Sequence, residues 1–349
     1  MEFSRQITQW YSIHKRDLPW RNTRDPYRIW ISEIILQQTR VAQGYDYYQR
    51  FTERFPNVAS LAQADEDEVL KLWQGLGYYS RARNLHAAAQ SIGNGPFPDT
   101  YEGVRALKGV GDYTSAAICS IAYNMPYAVV DGNVYRVLAR YFDIDTPIDS
   151  TQGKKEFAQL AQQLLDPEQP GTYNQAIMDF GALCCTPQNP ACADCPLADS
   201  CGALTSNKVT SLPVKEGKIK RRDRYFTTFW IHSGGNTFVR KRGSKDIWKG
   251  LYEFPTWESE TAFEGFPDAE FAQLTGQRPL VVTLHRKAMK HVLSHQNLYT
   301  DFYEVEIEPE SSIEGYLTIA DEALEEYAMP RLLTRLLQEA RERSVRPEA

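Results

Sequence analysis

The sequence predicts a multidomain protein, an all-α N-terminal domain followed by a mixed α/β C-terminal domain. Three observations predict it. Apolar residues recur at helical spacing through residues 1–205. Residues 206–224 then form a basic linker without such a stripe, and Lys208 to Arg224 hold seven basic and two acidic residues. From residue 225 to 349 the pattern is β-like, broken by a glycine pair and closed by one helix. A chain of 349 residues is long enough to give each domain its own core.

In the first domain, Asp25-Pro26 reads as a cap and first helical position. Tyr27, Trp30, Ile31, Ile34 and Ile35 follow as one apolar stripe. Ser60 is expected to cap the helix that carries Val69, Leu70 and Trp73 and stops near Gly75 and Gly77. Further helices are expected at 81–92, 113–124, 132–142, 154–165 and 173–183. In the second domain, 227–232 and 237–242 flank Ser233-Gly234-Gly235-Asn236 as a hairpin. A second strand pair is expected at 279–285 and 298–307, and a closing helix from Pro330 to Arg343. The segment between the domains reads as a solvated tether.

No apolar run reaches membrane-spanning length. The start, Met1-Glu2-Phe3-Ser4-Arg5, lacks the basic-then-apolar pattern of a signal peptide. A soluble, cytoplasmic protein is expected. The net charge of −6 offers no global attraction to nucleic acid, so any such binding must come from a local patch. Five of the six cysteines crowd into 184–201, which in a cytosolic protein points to a metal site rather than disulfides.

Four segments carry chemistry. Cys185, Cys192, Cys195 and Cys201 offer four soft thiolates within seventeen residues. They suit an iron–sulfur cubane, with a zinc knuckle as the alternative. Cys119 and Cys184 read as buried free thiols. Leu107-Lys108-Gly109-Val110-Gly111 lies between helices, and its two glycines permit a tight turn that exposes N–H groups to a phosphate. A plain turn is the alternative. Glu33 stands among Ile31, Ile34 and Ile35, where apolar neighbours hold a carboxyl protonated. Asp131, after Ala128-Val129-Val130, fits the N-cap of a helix. Taken singly, Glu33 reads as a solvated or salt-bridged helix residue, and Asp131 as a simple N-cap. Around them, Trp20, Arg21, Gln37, Gln38, Tyr78 and Tyr79 mix stacking surfaces with hydrogen-bonding groups.

Together these segments resemble the helix–hairpin–helix DNA glycosylases, and within them the MutY adenine glycosylases. The likeness spans nearly the whole chain. It rests on Leu18 to Arg21, Trp30 to Thr39, Gly75 to Asn84, the Gly109–Gly111 hairpin within 101–124, Val130 to Val134 and the 185–201 cysteine loop. The resemblance implies duplex DNA with adenine opposite 8-oxoguanine or guanine as partner, and hydrolysis of the adenine N-glycosidic bond after base flipping. Glu33 corresponds to the general acid at N7. Asp131 corresponds to the ionised carboxylate that stabilises the sugar cation, with Asn133 orienting it. Trp20, Arg21 and Gln175 would line the adenine pocket, Gln38 and Tyr78 would wedge into the duplex, and Gly109 and Gly111 would hold phosphate. Cys185, Cys192, Cys195 and Cys201 would bind a [4Fe-4S] cluster.

Tyr113 stands where endonuclease III relatives place a Schiff-base lysine, so the likeness implies a monofunctional enzyme. The C-terminal domain is similar to a Nudix-like 8-oxoguanine reader, with Trp248 to Pro255 and the loop Leu293-Ser294-His295. Ser294 and His295 keep the family's polar readers, and Leu293 replaces its phenylalanine. The acidic magnesium box of active Nudix hydrolases is not visible between Trp257 and Pro279. The competing readings are an endonuclease III-like glycosylase/lyase, a non-catalytic DNA-damage binding protein, and a Nudix pyrophosphohydrolase fused to a DNA-binding domain. A monomer is expected from the resemblance.

Overall fold

The computed structural model describes residues 2–217, 220–244 and 246–345. It begins with α1 (Glu2–His14), α2 (Pro26–Leu36), α3 (Val41–Arg54) and α4 (Val58–Gln63). The start of α2 comes from its sequence: Tyr27 N donates to the Asp25 carboxylate at 2.9 Å, and Pro26 needs no amide partner at the first helical position. Ser60 does not cap the next helix. It lies inside α4, where Ser60 N donates to Asn57 Oδ1 at 2.9 Å. α5 (Glu66–Trp73) instead begins after Asp65 with three acidic residues in its first turn, which suits the positive end of the helix dipole.

Next come α6 (Ser80–Ile92), α7 (Tyr101–Arg105), α8 (Asp112–Tyr123), α9 (Gly132–Tyr141), α10 (Thr151–Leu164), α11 (Pro170–Leu183) and α12 (Gly202–Thr205). α1, α8, α9, α10 and α11 share a core that includes Ile7, Ala117, Val134, Val137, Phe157, Ile177 and Phe180. α11 is buried along nearly its whole length and contacts α1, α8 and α9, so it forms the spine of the helical unit.

The chain forms two units, and their boundary differs from the expected one. The first runs to Gln63 and from Asn84 to Gly217; the second joins Ala64–Arg83 to the chain beyond Gly217. Residues 64–83 thus leave the expected 1–205 domain. The tether expectation also fails for 206–217. Leu212 is buried at 3% exposure, Ile148 N donates to Val214 O at 3.0 Å, and Asp149 accepts from Glu216 N and Gly217 N. An apolar anchor and satisfied backbone groups hold this stretch to the helical unit. Lys218 and Ile219 lie outside the described residues, and Arg222 already belongs to a strand.

In the second unit, β1 (Arg222–Ser233), β2 (Asn236–Lys241), β3 (Tyr252–Glu253) and β4 (Thr256–Ser259) precede α13 (Asp268–Thr275). β5 (Val281–Val292), β6 (Gln296–Glu306), β7 (Leu317–Ala320) and α14 (Arg331–Val345) complete it. Among the described residues seven strands form one sheet of order β3-β2-β1-β6-β5, with β4 on β1 and β7 on β2. The hairpin at Ser233–Asn236 forms as predicted. β1 and β6 run parallel while β5 and β6 are antiparallel. Side chains alternate along β1. Phe226 and Trp230 face a core with Leu332, Leu333, Leu336 and Leu337 of α14, whereas Phe229 and Ile231 face Phe271 of α13. A mixed sheet with a helix on each face results.

Candidate active site

Three side chains from three helices meet in a pocket of about 370 Å³ in the helical unit. Glu33 comes from α2, Tyr113 from the first turn of α8, and Asp131 from the N-cap of α9. Leu36, Gln37 and Gln38 complete one wall. The Tyr113 hydroxyl hydrogen-bonds to Glu33 and donates to Met178 Sδ at 3.2 Å. Burial pushes the Glu33 carboxyl up, against its hydrogen bond with Tyr113 and the charge of Arg21. Burial likewise raises the Tyr113 phenol well above its ordinary value. The pocket therefore favours a neutral acid at Glu33.

Asp131 caps α9 through Asn133 N and Val134 N, both donating to Oδ1 at 2.8 Å, while Asn133 Nδ2 donates to Oδ2 at 2.8 Å. These bonds favour the carboxylate, as expected. Burial outweighs them, however, so the Asp131 carboxyl also sits above its usual range. The bridge continues. Arg136 Nη2 donates to Asn133 Oδ1 at 2.8 Å and to Gly181 O at 2.7 Å, and Arg136 Nε donates to Cys185 O at 2.7 Å. Gly181 permits this approach, since a Cβ there would stand 2.7 Å from Asn133 Cβ.

Cys185, Cys192, Cys195 and Cys201 are free and half-buried, each held by the loop after α11. Cys119 and Cys184 are free and buried. Arg140 Nη1 lies 3.4 Å from Cys185 Sγ and 2.7 Å from Thr186 O, and Arg140 O accepts from Cys201 Sγ at 3.6 Å. Four soft donors beside a buried cation suit an anionic thiolate cluster. Among the described residues no three histidine, cysteine or acidic side chains converge on a single-ion site.

The other expected site residues divide among neighbouring places. Gln38 lines the pocket with φ +56°. Trp20 is buried edge-on to Tyr48 at 5.1 Å, outside the pocket lining. Gln175, also outside it, accepts from the Tyr11 hydroxyl at 2.9 Å. Arg21 Nη2 donates to Asp179 Oδ1 at 2.9 Å. Gly109 turns the α7–α8 hairpin at φ +82°, and Gly111 caps α8 without a side-chain acceptor. In the second unit, the Tyr78 hydroxyl lies 3.2 Å from Ser294 Oγ. Ser294 and His295 form the two-residue turn between β5 and β6, closed by Leu293 N donating to Gln296 O at 2.8 Å. Tyr78, Trp248, Leu293, Ser294 and His295 border a separate pocket of about 400 Å³.

Sequence reading missed Arg136, Arg140 and Asp179. A signal existed for the two arginines: they lie four residues apart on one buried face of α9, and a buried guanidinium demands partners.

Residues 31–167 match the HhH-GPD superfamily of base excision DNA repair proteins, 185–201 match the iron–sulfur binding domain of endonuclease III, and 227–339 match the NUDIX domain. The chain is 34% identical to the mouse adenine DNA glycosylase, over 88% of this chain and 71% of that protein. It is 36% identical to that of Buchnera aphidicola subsp. Acyrthosiphon pisum, over 74% of this chain and 75% of that one. The chain belongs to the adenine DNA glycosylases. It is thus a hydrolase of base excision repair, a DNA-binding protein, and the holder of a [4Fe-4S] cluster site in the 185–201 loop. The glycosylase matches 37% of residues with the Arabidopsis thaliana relative and spans 46% of that longer protein. It superposes on a thermostable thymine-DNA glycosylase with TM-score 0.55 at 30% identity, covering 58% of this chain and 95% of that one. An endonuclease III–DNA complex shares the fold, with TM-score 0.51 at 21% identity and coverage of 59% and 95%. No helix among the described residues is long and apolar enough to cross a membrane.

Proposed function

We propose that this glycosylase is monofunctional and excises adenine opposite 8-oxoguanine or guanine, acting as a cytoplasmic monomer. The observation that carries the reading is the pocket that a half-buried Glu33, its carboxyl pushed up by desolvation, shares with Asp131 and Tyr113. Glu33 delivers a proton to adenine N7, so the base leaves neutral. Asp131, ionised as the bond breaks, stabilises the sugar cation with Asn133 holding its Oδ2. Tyr113 cannot form an imine at this position, which leaves hydrolysis without strand cleavage. Trp20, Arg21 and Gln175 support the wall of the adenine site, and Gln38 enters the duplex beside it. The cluster at Cys185, Cys192, Cys195 and Cys201 organises the loop after α11 rather than taking part in glycosidic chemistry.

Ser294 and His295 form the surface that reads the oxidised guanine, and Tyr78 wedges into the duplex beside it. Their support is the Tyr78–Ser294 contact and the adjoining pocket. The Nudix-like unit acts as a reader.

A duplex labelled on the adenine strand, with one adenine opposite 8-oxoguanine, tests this directly. Strand scission after hot alkali but not before it is the expected result. Scission without alkali, with a trappable imine, would replace the reading with a glycosylase/lyase. Tight binding with an intact strand in both halves would leave a damage-binding protein.

Gly109 gives a second test. A side chain there meets a positive φ, and its Cβ would stand 2.7 Å from Asn84 Cβ, whereas a Cβ at Gly111 meets open space. Holding alanine in the left-handed region costs roughly 1–2 kcal/mol. If the hairpin amides bind phosphate, Gly109→Ala weakens duplex affinity about tenfold by fluorescence anisotropy, and Gly111→Ala weakens it less. Equal affinities in both variants and the parent would remove the hairpin from the DNA interface.

A further inference from the structure

In the helical unit, one buried carboxylate joins two arginines. Asp179 lies on α11, one turn beyond Gln175, and its side chain has no exposed surface. Arg16 Nη2 donates to its Oδ1 at 2.5 Å, and Arg21 Nη2 donates to the same oxygen at 2.9 Å. The two arginine side chains are 27% and 11% exposed. Two cations against one anion leave one net positive charge largely withdrawn from water.

This trio is poorly built for stability. Asp179 Oδ2, Arg16 Nε and Arg21 Nε are buried and find no hydrogen-bond partner among the described residues. Buried ion pairs must recover a large desolvation cost, and unmet polar atoms raise it further. Apolar packing at the same place would serve the fold better. What the arrangement does achieve is a fixed guanidinium. Arg21 ends the short 3-10 turn Pro19–Arg21, which packs on α2, the helix of Glu33. Its charge reaches both Glu33 and Tyr113.

We propose that Asp179 is a positioning residue that clamps Arg21, whose turn packs on the helix of Glu33, and offsets part of the positive charge of the Arg16–Arg21 pair. The inference rests on reading Glu33 as the general acid. The groups facing Glu33 are Tyr113 from α8, Asp131 from the N-cap of α9, and Arg21 from the turn before α2. Arg16, Arg21 and, from α1, Tyr11 surround Asp179. A nearby positive charge favours an ionised carboxyl, and a nearby negative charge favours a protonated one. Asp179→Asn adds one net positive charge to the trio, Arg16→Gln removes one, and the double variant restores the original balance.

Two measurements test this on the holoenzyme. One is the single-turnover excision rate against pH on the adenine–8-oxoguanine duplex, for the parent, both single variants and the double variant. The alkaline limb, where Glu33 loses its proton, moves down by about half a pH unit or more in Asp179→Asn. It moves up in Arg16→Gln and returns close to the parent in the double variant. The other is the carboxyl carbon resonance of Glu33 in ¹³C-glutamate-labelled protein without DNA, assigned by its loss in Glu33→Gln. It titrates in the same order. A merely structural role would lower the rates and leave both titrations in place. Unmoved titrations, or both single variants moving in the same direction, overturn the proposal. Should Asp179→Asn not fold, Arg16→Gln decides alone: an upward move supports the clamp, and no move or a downward one overturns it. Titrations in the expected order without any adenine excision would sink the functional reading and leave the electrostatics standing. Normal excision without that order would sink the clamp alone.

Discussion

Glu33→Gln loses adenine excision by on the order of 10³-fold, within the range a single general acid contributes, while keeping its fold. Glutamine preserves the shape of the side chain and can still pair with the Tyr113 hydroxyl, but it has no proton to give N7. The parent enzyme adds a pH signature. Burial raises the Glu33 carboxyl, so the competent acid persists above the ordinary carboxyl range and is lost as pH rises through the raised value. Excision therefore falls on the alkaline side, and the variant's residual rate lacks that limb. Stability moves in the opposite sense. In the unfolded chain Glu33 ionises at its ordinary pKa, so the folded protein loses stability as pH rises from that value through the raised one. Glu33→Gln removes the loss and melts at or above the parent temperature near neutral pH. Single-turnover rates and calorimetry across pH check both halves. A variant that keeps more than about a tenth of parental excision would remove Glu33 from the acid role.

That carboxyl is legible in the sequence because its signal is local. Tyr27, Trp30, Ile31, Ile34 and Ile35 surround it within one helix, and Pro26 marks where the helix begins. Asp131 is legible for the same reason, since an N-cap is a property of a few consecutive residues. The hairpin at Ser233–Asn236 is another short-range feature. The hidden features depend on partners far along the chain. Nothing near Asp179 shows that Arg16 and Arg21 will meet it, because those contacts span 163 and 158 residues. The parallel pairing of β1 with β6 crosses some 70 residues, and no local pattern encodes its register. Residues 64–83 look like any helix of the first domain, yet they belong to the second unit. The basic stretch misleads for a physical reason: its charges dominate the composition, while Leu212 and the amides of Glu216 and Gly217 decide where it lies. Resemblance assigns Trp20 and Gln175 to the adenine pocket, and the structure packs them against Tyr48 and Tyr11 beside it.

Arg136→Gln reduces excision about 10–100-fold and loosens the iron–sulfur loop in the same variant. Arg136 is 8% exposed, and its guanidinium ties four groups: the carbonyls of Gly132, Gly181 and Cys185, and Asn133 Oδ1. Asn133 in turn holds Asp131 Oδ2, so the bridge runs from the Cys185 backbone to the Asp131 carboxylate. Glutamine cannot span those acceptors. Each buried acceptor left unpaired costs roughly 1–3 kcal/mol, which makes a second conformation of Asn133 accessible and frees the Cys185 peptide. Arg136→Lys keeps the charge but loses the planar fork, so it recovers little. Iron content, the visible absorbance of the cluster and the excision rate, measured on the same preparations, separate the possibilities. Cluster loss with an unchanged rate would mean that Arg136 serves the loop alone. A slowed rate with full iron content and an unaltered cluster spectrum would mean that it serves Asn133 alone. Only the joint loss fits one guanidinium holding both, with Gly181 leaving the space that lets α11 and α9 approach closely enough for it to do so.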